Sequence, residues 1–355
     1  MKTQFQKAFQ KEKWILTSLG SYPQWEPEAL WQHCRRFFCM TVSITYITLM
    51  CTGPLLENSI MILCTVMGVV KEMQLLFSKQ QFREIEEYIG SMKPCKIPIS
   101  RLLGSFRNSV VTVIIFLGLM PYTKRSLRML PYKSWLPYDV SRAPVYYVTF
   151  VAEVLTIIMA AFTNTTIDVL YYCLIDICCA ELDLLKMELM EIDMSESYEV
   201  VQNKLKNVVI YHQRIIRLVE VIQDVFSSVV FIQCMTSVLV ICFLGFQIVY
   251  VDEIPSGKAT IEVSFIGCML LQIFSYCWFG QSIMMKSLEV ADVCYNSNWY
   301  DADLRIRKMI FIIMERCKQP LELRAKIITI NLQTLLAILR SSYSYMAILR
   351  TLYSD

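Results

Sequence analysis

A chain of 355 residues that is 55% hydrophobic and 18% charged, with a mean hydropathy of +0.44, falls short of the roughly 25% charged residues of a soluble domain. Long uncharged runs accompany the deficit, which excludes an ordinary soluble globule and points to a membrane protein with several crossings. A net charge of +3 without a basic tail excludes a nucleic-acid partner.

The first twenty residues, MKTQFQKAFQKEKWILTSLG, lack the apolar run of about 7–15 residues that a cleaved signal peptide needs. They are expected to remain on the cytoplasmic side. Crossing a hydrocarbon core of about 30 Å takes roughly 20 apolar residues as helix. Span one is residues 37–56, which carry no charge. Span two runs over 58–77, with Lys71 and Glu72 near its inner end, and span three over 108–123. Span four begins at Ala143 and carries Glu153 and Asp168. Spans five and six are 225–250 and 263–285, and span seven is 327–352, interrupted by Arg340 and Arg350.

Span four continues inward. Val169, Tyr172, Ile175, Cys179, Leu182 and Leu185 recur at spacings of three and four, with Asp176, Glu181, Asp183 and Glu188 between them. That is an amphipathic cytoplasmic helix extension over 167–192. A second such helix is expected over 304–317, stopped before Pro320. The expected fold class is therefore an all-α membrane protein with seven transmembrane helices and long cytoplasmic helix extensions. Residues 1–303 form the body of the seven-helix fold with its first six spans. Residues 304–355 form an anchor helix and the last span.

Basic residues orient the bundle. Segments 1–36, 71–107, 180–220 and 286–318 hold 6, 7, 5 and 6 of them, against 0, 5 and 1 in 53–58, 122–142 and 251–258. The excess places the N-terminus in the cytoplasm and, after seven crossings, the C-terminus outside the cell. That is the reverse of a G-protein-coupled receptor.

Ten of the fourteen cysteines, from Cys39 to Cys277, lie in apolar runs, and His33 and His212 are the only histidines. No C-x-x-C spacing, metal-ligand cluster or phosphate loop occurs, so neither an enzyme, a metal nor a cofactor is expected. An acid within a span is normally functional or paired; Glu153 could bind an amine ligand or meet Arg142 or Lys258, and a structural partner is the favoured reading. Asn164-Thr165-Thr166 matches a glycosylation motif but lies mid-span, out of reach of that chemistry.

The last span has a polar edge. At about 100° per residue, Ser341, Tyr345, Ile348 and Leu352 fall on one stripe, with Ser344 and Thr351 beside it. Periodicity leaves two readings open, the wall of a water-filled path or helix–helix packing through small residues. Arg350 lies opposite the stripe, and Arg340 should face protein or water rather than lipid.

Three stretches carry a resemblance. LPYKSWLPYD (130–139), followed by Pro144 and paired tyrosines, resembles the second outer loop of insect odorant receptors. CYNSNWYD (294–301), the break at Pro320 and TLLAILRSSYSYMAILRTL (334–352) resemble that family's final segment. The resemblance implies an odorant-gated, non-selective cation channel subunit in the plasma membrane of olfactory sensory neurons. It would assemble as a tetramer with co-receptor subunits and bind a small volatile organic ligand. The chain is short between spans four and five, so it resembles a ligand-tuning subunit rather than the co-receptor. By the same resemblance Ser341, Ser344, Tyr345, Ile348, Thr351 and Leu352 line the pore, with Ile348 at the gate. Spans two, three, four and six enclose the odorant site. Their outer halves offer Met61, Cys64 and Met67; Phe116, Leu119 and Met120; Tyr147, Phe150, Val151 and Val154; and Phe265, Cys268 and Met269. These are the adaptable methionines and aromatic rings that suit an apolar ligand. A gustatory-type channel is the alternative with the same architecture; a G-protein-coupled receptor would need the opposite orientation.

Overall fold

The computed structural model describes residues 4–19, 22–23, 41, 44, 48, 51, 55–91, 138–139, 142–250 and 256–354. In chain order these form α1 (Gln4–Leu19), α2 (Leu55–Phe77), α3 (Lys79–Gly90), α4 (Ala143–Met190), α5 (Tyr198–Tyr250) and α6 (Ser256–Asn296). A 3-10 turn (Trp299–Asp301) then leads to α7 (Leu304–Cys317), a hairpin of β1 (Arg324–Ala325) and β2 (Ile328–Thr329), and α8 (Leu332–Ser354). Spans two, four, five, six and seven are thus helices. Span three lies outside the described residues, as does most of span one, whose residues 41, 44, 48 and 51 are helical.

Helix length separates membrane from cytoplasm. At 1.5 Å per residue, the 48, 53 and 41 residues of α4, α5 and α6 far exceed the roughly 20 that a bilayer takes. The surplus forms a helical layer beyond the membrane. Four described segments are long and apolar enough to cross, Ile60–Phe77, Pro144–Met190, Tyr198–Gln247 and Glu262–Asn296. The serines and two arginines of α8 lower its mean hydropathy below theirs.

The core sits where α4 meets α5, α6 and α1. Every residue from Thr165 to Ile175 is buried, as expected of a helix covered on all sides. Tyr172 stacks on Phe279 with ring centroids 5.3 Å apart and meets Tyr276 edge-on at 5.0 Å. Amphipathic α1 lays Phe9 and Leu16 into this cluster. Just beyond α1, Tyr22 donates a 2.5 Å hydrogen bond to Glu86 of α3, which also receives Lys13 at 2.6 Å. Burial, reinforced by the Glu86 charge, pushes the Tyr22 phenol well above its ordinary pKa.

Short connections fix the inner layer. Between α4 and α5 the Ser195 amide and hydroxyl both donate to Asp193 Oδ1, at 3.0 and 2.6 Å. This side-chain turn holds the exposed carboxyl below its ordinary pKa. In CYNSNWYD, Ser297 Oγ donates to the Cys294 carbonyl at 2.7 Å and Trp299 Nε1 to that of Tyr295 at 3.2 Å. The motif is the turn from α6 into α7, and α7 occupies the expected 304–317.

The segment feeding α8 is pinned on two sides. Arg324 N–H donates to Gln223 Oε1 (3.0 Å) and Lys326 N–H to Ser227 Oγ (2.8 Å), both on α5. Leu321 N–H donates to Ser287 Oγ on α6 at 2.9 Å. A Cβ at Gly280 of α6 would lie 2.1 Å from the Ile330 carbonyl oxygen, so this crossing requires glycine. Lys326 turns the hairpin with φ 55°, a left-handed conformation that costs a non-glycine residue roughly 1–2 kcal/mol. Asn331 then caps α8, its Oδ1 accepting the Thr334 N–H at 3.0 Å. The last helix therefore begins at Leu332, not at 327, because the hairpin occupies the intervening residues.

Candidate functional site

Two groups of side chains are candidates, the outward edge of α8 and the apolar region that α5 shares with α2 and α6.

α8 packs on α5 through Ile338 and Ser342, which are 5% and 3% exposed. Ser342 Oγ donates to the Val238 carbonyl at 3.3 Å and to that of Ile338 at 2.9 Å. Ser341, Tyr345 and Ile348 lie about 60–120° round the helix from Ser342. All three are exposed, Tyr345 at 53% and Ile348 at 54%. Ser344 and Thr351 are also exposed, and Thr351 returns its hydroxyl to the Ala347 carbonyl at 2.9 Å. The Leu352 side chain lies outside the described ones. The polar edge thus faces away from the subunit's own core, which suits an aqueous path or a contact with another subunit. Arg340 is likewise exposed.

In the second region Ile60, Val240, Leu244 and Met269 form a buried cluster, with Cys64 and Phe265 packed against it. Met67 is 2% exposed, and Met61 and Cys268 are half-buried. Of the expected residues, Cys64 of span two and Phe265 and Met269 of span six thus share one cluster, joined by Val240 and Leu244 of span five. Span four is divided. Phe150 and Val154 are half-buried, whereas Tyr147 and Val151 are 65% and 53% exposed in the single chain. Tyr146 bridges Tyr147 and Phe150, with centroids 5.5 and 6.1 Å away. Tyr138, from LPYKSWLPYD, places its hydroxyl 3.2 Å from Thr149 Oγ1. Phe116, Leu119 and Met120 lie outside the described residues. Glu153 is buried.

Sequence reasoning missed a polar cluster at the inner end of this region. Lys71 of α2 and Asp168 of α4 are fully buried, with Nζ to Oδ1 at 2.5 Å. Lys71 also donates to Asn164 Oδ1 at 2.6 Å. Asp168 accepts further bonds from Tyr276 (2.6 Å) and Gln272 Nε2 (2.5 Å), both on α6. Gln233 of α5 donates to Gln272 Oε1 at 3.1 Å. Buried charges persist when they are paired and their remaining bonds are met, and here one pair ties four helices together. The signal was two opposite charges in otherwise apolar spans. Among the described residues no group of three or more His, Cys, Asp and Glu could hold a metal.

The sequence matches a family model described as 7tm Odorant receptor over residues 61–343. Among curated proteins it is 29% identical over 235 residues to putative odorant receptor 85d, and 27% identical over 229 residues to odorant receptor 85b, both of Drosophila melanogaster. Those alignments take in 64% of this chain but 55% and 58% of the relatives, so the matched region spans little more than half of their length. The fold resembles that of insect olfactory receptor OR5 from Machilis hrabei. The likeness to the structure in complex with eugenol has a TM-score of 0.84 at 18% identity, covering 98% of both chains. For the structure described without that ligand the TM-score is 0.77, covering 97% of both.

Proposed function

The chain belongs to the odorant receptor family, and from that premise we propose that it is the ligand-tuning subunit of an odorant-gated, non-selective cation channel. It works in a tetramer with co-receptor subunits, in the plasma membrane of olfactory sensory neurons. Its ligand is a small volatile organic molecule held among spans two, three, four and six.

One observation carries the reading. The Ser341–Tyr345–Ile348 edge of α8 is exposed, while the base of the same helix is pinned to α5 and α6. Such a helix pivots at its inner end and lines an axis along its length. Four of these helices around one axis would make a wet inner path closed by an apolar collar at Ile348, and an apolar constriction gates by dewetting. A ligand that binds the open arrangement more tightly shifts the population toward it. Residues 1–303 serve as the receptor body, and 304–355 as anchor and pore wall.

The test is co-expression with the co-receptor in a cell that lacks both, recording current over an odorant panel. Tyr147→Ala and Phe150→Ala are expected to shift ligand sensitivity and leave ion permeation unchanged. Ile348→Ala is expected to change permeation or basal opening. The reverse pattern would overturn the assignment, and omission of the co-receptor tests whether the chain conducts alone.

A further inference from the structure

Asn164 belongs to the unused glycosylation motif, yet its side chain is committed elsewhere. Its Oδ1 accepts from the fully buried Lys71 ammonium at 2.6 Å. An ammonium donates only, so the carboxamide must present its oxygen to Lys71. Because the amide is planar, its Nδ2–H2 is then aimed away from the ion pair. Lys71 is itself held by Asp168, and Asp168 by Tyr276 and Gln272, so the orientation is imposed by three helices. Among the described residues Nδ2 has no acceptor, and Asn164 is half-buried.

Position gives that donor a use. Asn164 lies one turn N-terminal to Asp168, as Met67 does to Lys71 and Met269 to Gln272. All three helices run inward in the expected topology, so one turn toward the N-terminus is about 5 Å toward the outer side. Asn164 therefore shares a level with the innermost candidates of the apolar region, directly above the ion pair. The cluster of Ile60, Cys64, Val240, Leu244, Phe265 and Met269 above it is apolar. A single pre-oriented donor on such a floor discriminates by whether a ligand brings an acceptor.

We propose that Asn164 is the polar anchor of the ligand site, selecting volatile molecules with a carbonyl, ester or ether oxygen over hydrocarbons of equal size. This rests on the reading of spans two, four and six as ligand-binding and names the ligand class they take.

Matched probes test it: pentyl methyl ketone against n-octane, and methyl hexanoate against n-nonane, applied to cells expressing the chain with its co-receptor. The wild-type half-maximal concentration is expected to be about tenfold lower for each oxygenated member, the scale of one neutral hydrogen bond. Asn164→Leu keeps the volume without the donor, and is expected to remove that advantage, so that the two members of each pair act at concentrations within about twofold of each other. Surface labelling checks that the variant reaches the membrane; if it does not, Asn164→Ala makes the same comparison. A preference that survives loss of the amide overturns the proposal. So does a wild-type response equal for both members of a pair, or a response to the hydrocarbons with none to the oxygenated probes. Failure of the channel reading looks different, because then no probe, hydrocarbon or oxygenated, evokes current in the wild type.

Discussion

Removing the Lys71 charge should be among the most damaging single changes available in this chain. Lys71→Met leaves the Asp168 carboxylate buried without its cation, held only by neutral Tyr276 and Gln272. At the 2.5 Å separation of the pair, Coulomb attraction in a medium of effective dielectric about 20 is roughly 7 kcal/mol. Part of that loss is offset because the lysine's own desolvation, several kcal/mol, is no longer incurred. The net cost should be about 3–5 kcal/mol, the range for breaking a buried pair from one side. Lys71→Met combined with Asp168→Leu removes both charges and should recover most of that loss. The assay is the thermal-aggregation midpoint of detergent-solubilised protein, alongside surface abundance in cells. Single variants as stable as wild type, or a double variant worse than either single, would refute the reasoning.

Other expectations follow from the packing of the last helix. Gly280→Ala puts a Cβ 2.1 Å from the Ile330 carbonyl oxygen; with backbone unable to yield, it should cost about 1–3 kcal/mol or more, read as a lower thermal midpoint. Gly245→Ala meets only the Met346 sulfur, at 2.9 Å, and should be tolerated in the same assay. Lys326→Gly relieves a left-handed residue against the entropy of glycine, and should change stability by no more than about 1 kcal/mol in either direction. Ser342→Leu drives bulk into the α5 contact at Val238 and should lower surface abundance, whereas Ser344→Leu, on the exposed face, should leave abundance unchanged.

Much of the fold was legible because crossing a bilayer demands twenty apolar residues in a row, a signal that needs no partner. The bounds of α7 were legible for local reasons, its amphipathic spacing and the stop before Pro320. What needed a partner was not. Span five extends inward to Tyr198; Val201, Leu205, Val208, Ile215, Leu218 and Ile222 mark its buried face at spacings of three, four and seven, but charges between them hid the continuity. The hairpin before α8 depends on hydrogen bonds to residues about a hundred positions away. Within the candidate ligand region, Cys64 of span two and Phe265 and Met269 of span six pack into one cluster, but a helix apolar all round does not announce its faces. The four candidates of span four divide in the single chain between half-buried Phe150 and Val154 and exposed Tyr147 and Val151. Lys71 and Asp168 were each visible as charges in apolar runs, but their pairing spans 97 positions, and nothing one-dimensional joins them.

The central claim is that the Ser341–Tyr345–Ile348 edge of the last helix meets permeating water. Single cysteines at Ser341, Tyr345 and Ile348, and on the opposite face at Tyr343, can be treated with a water-borne thiol reagent while odorant-evoked current is recorded. The expected result is that modification alters current at the first three positions, faster with odorant present, and leaves it unchanged at Tyr343. Silence at all three positions with and without odorant, together with block at Tyr343, would contradict the claim.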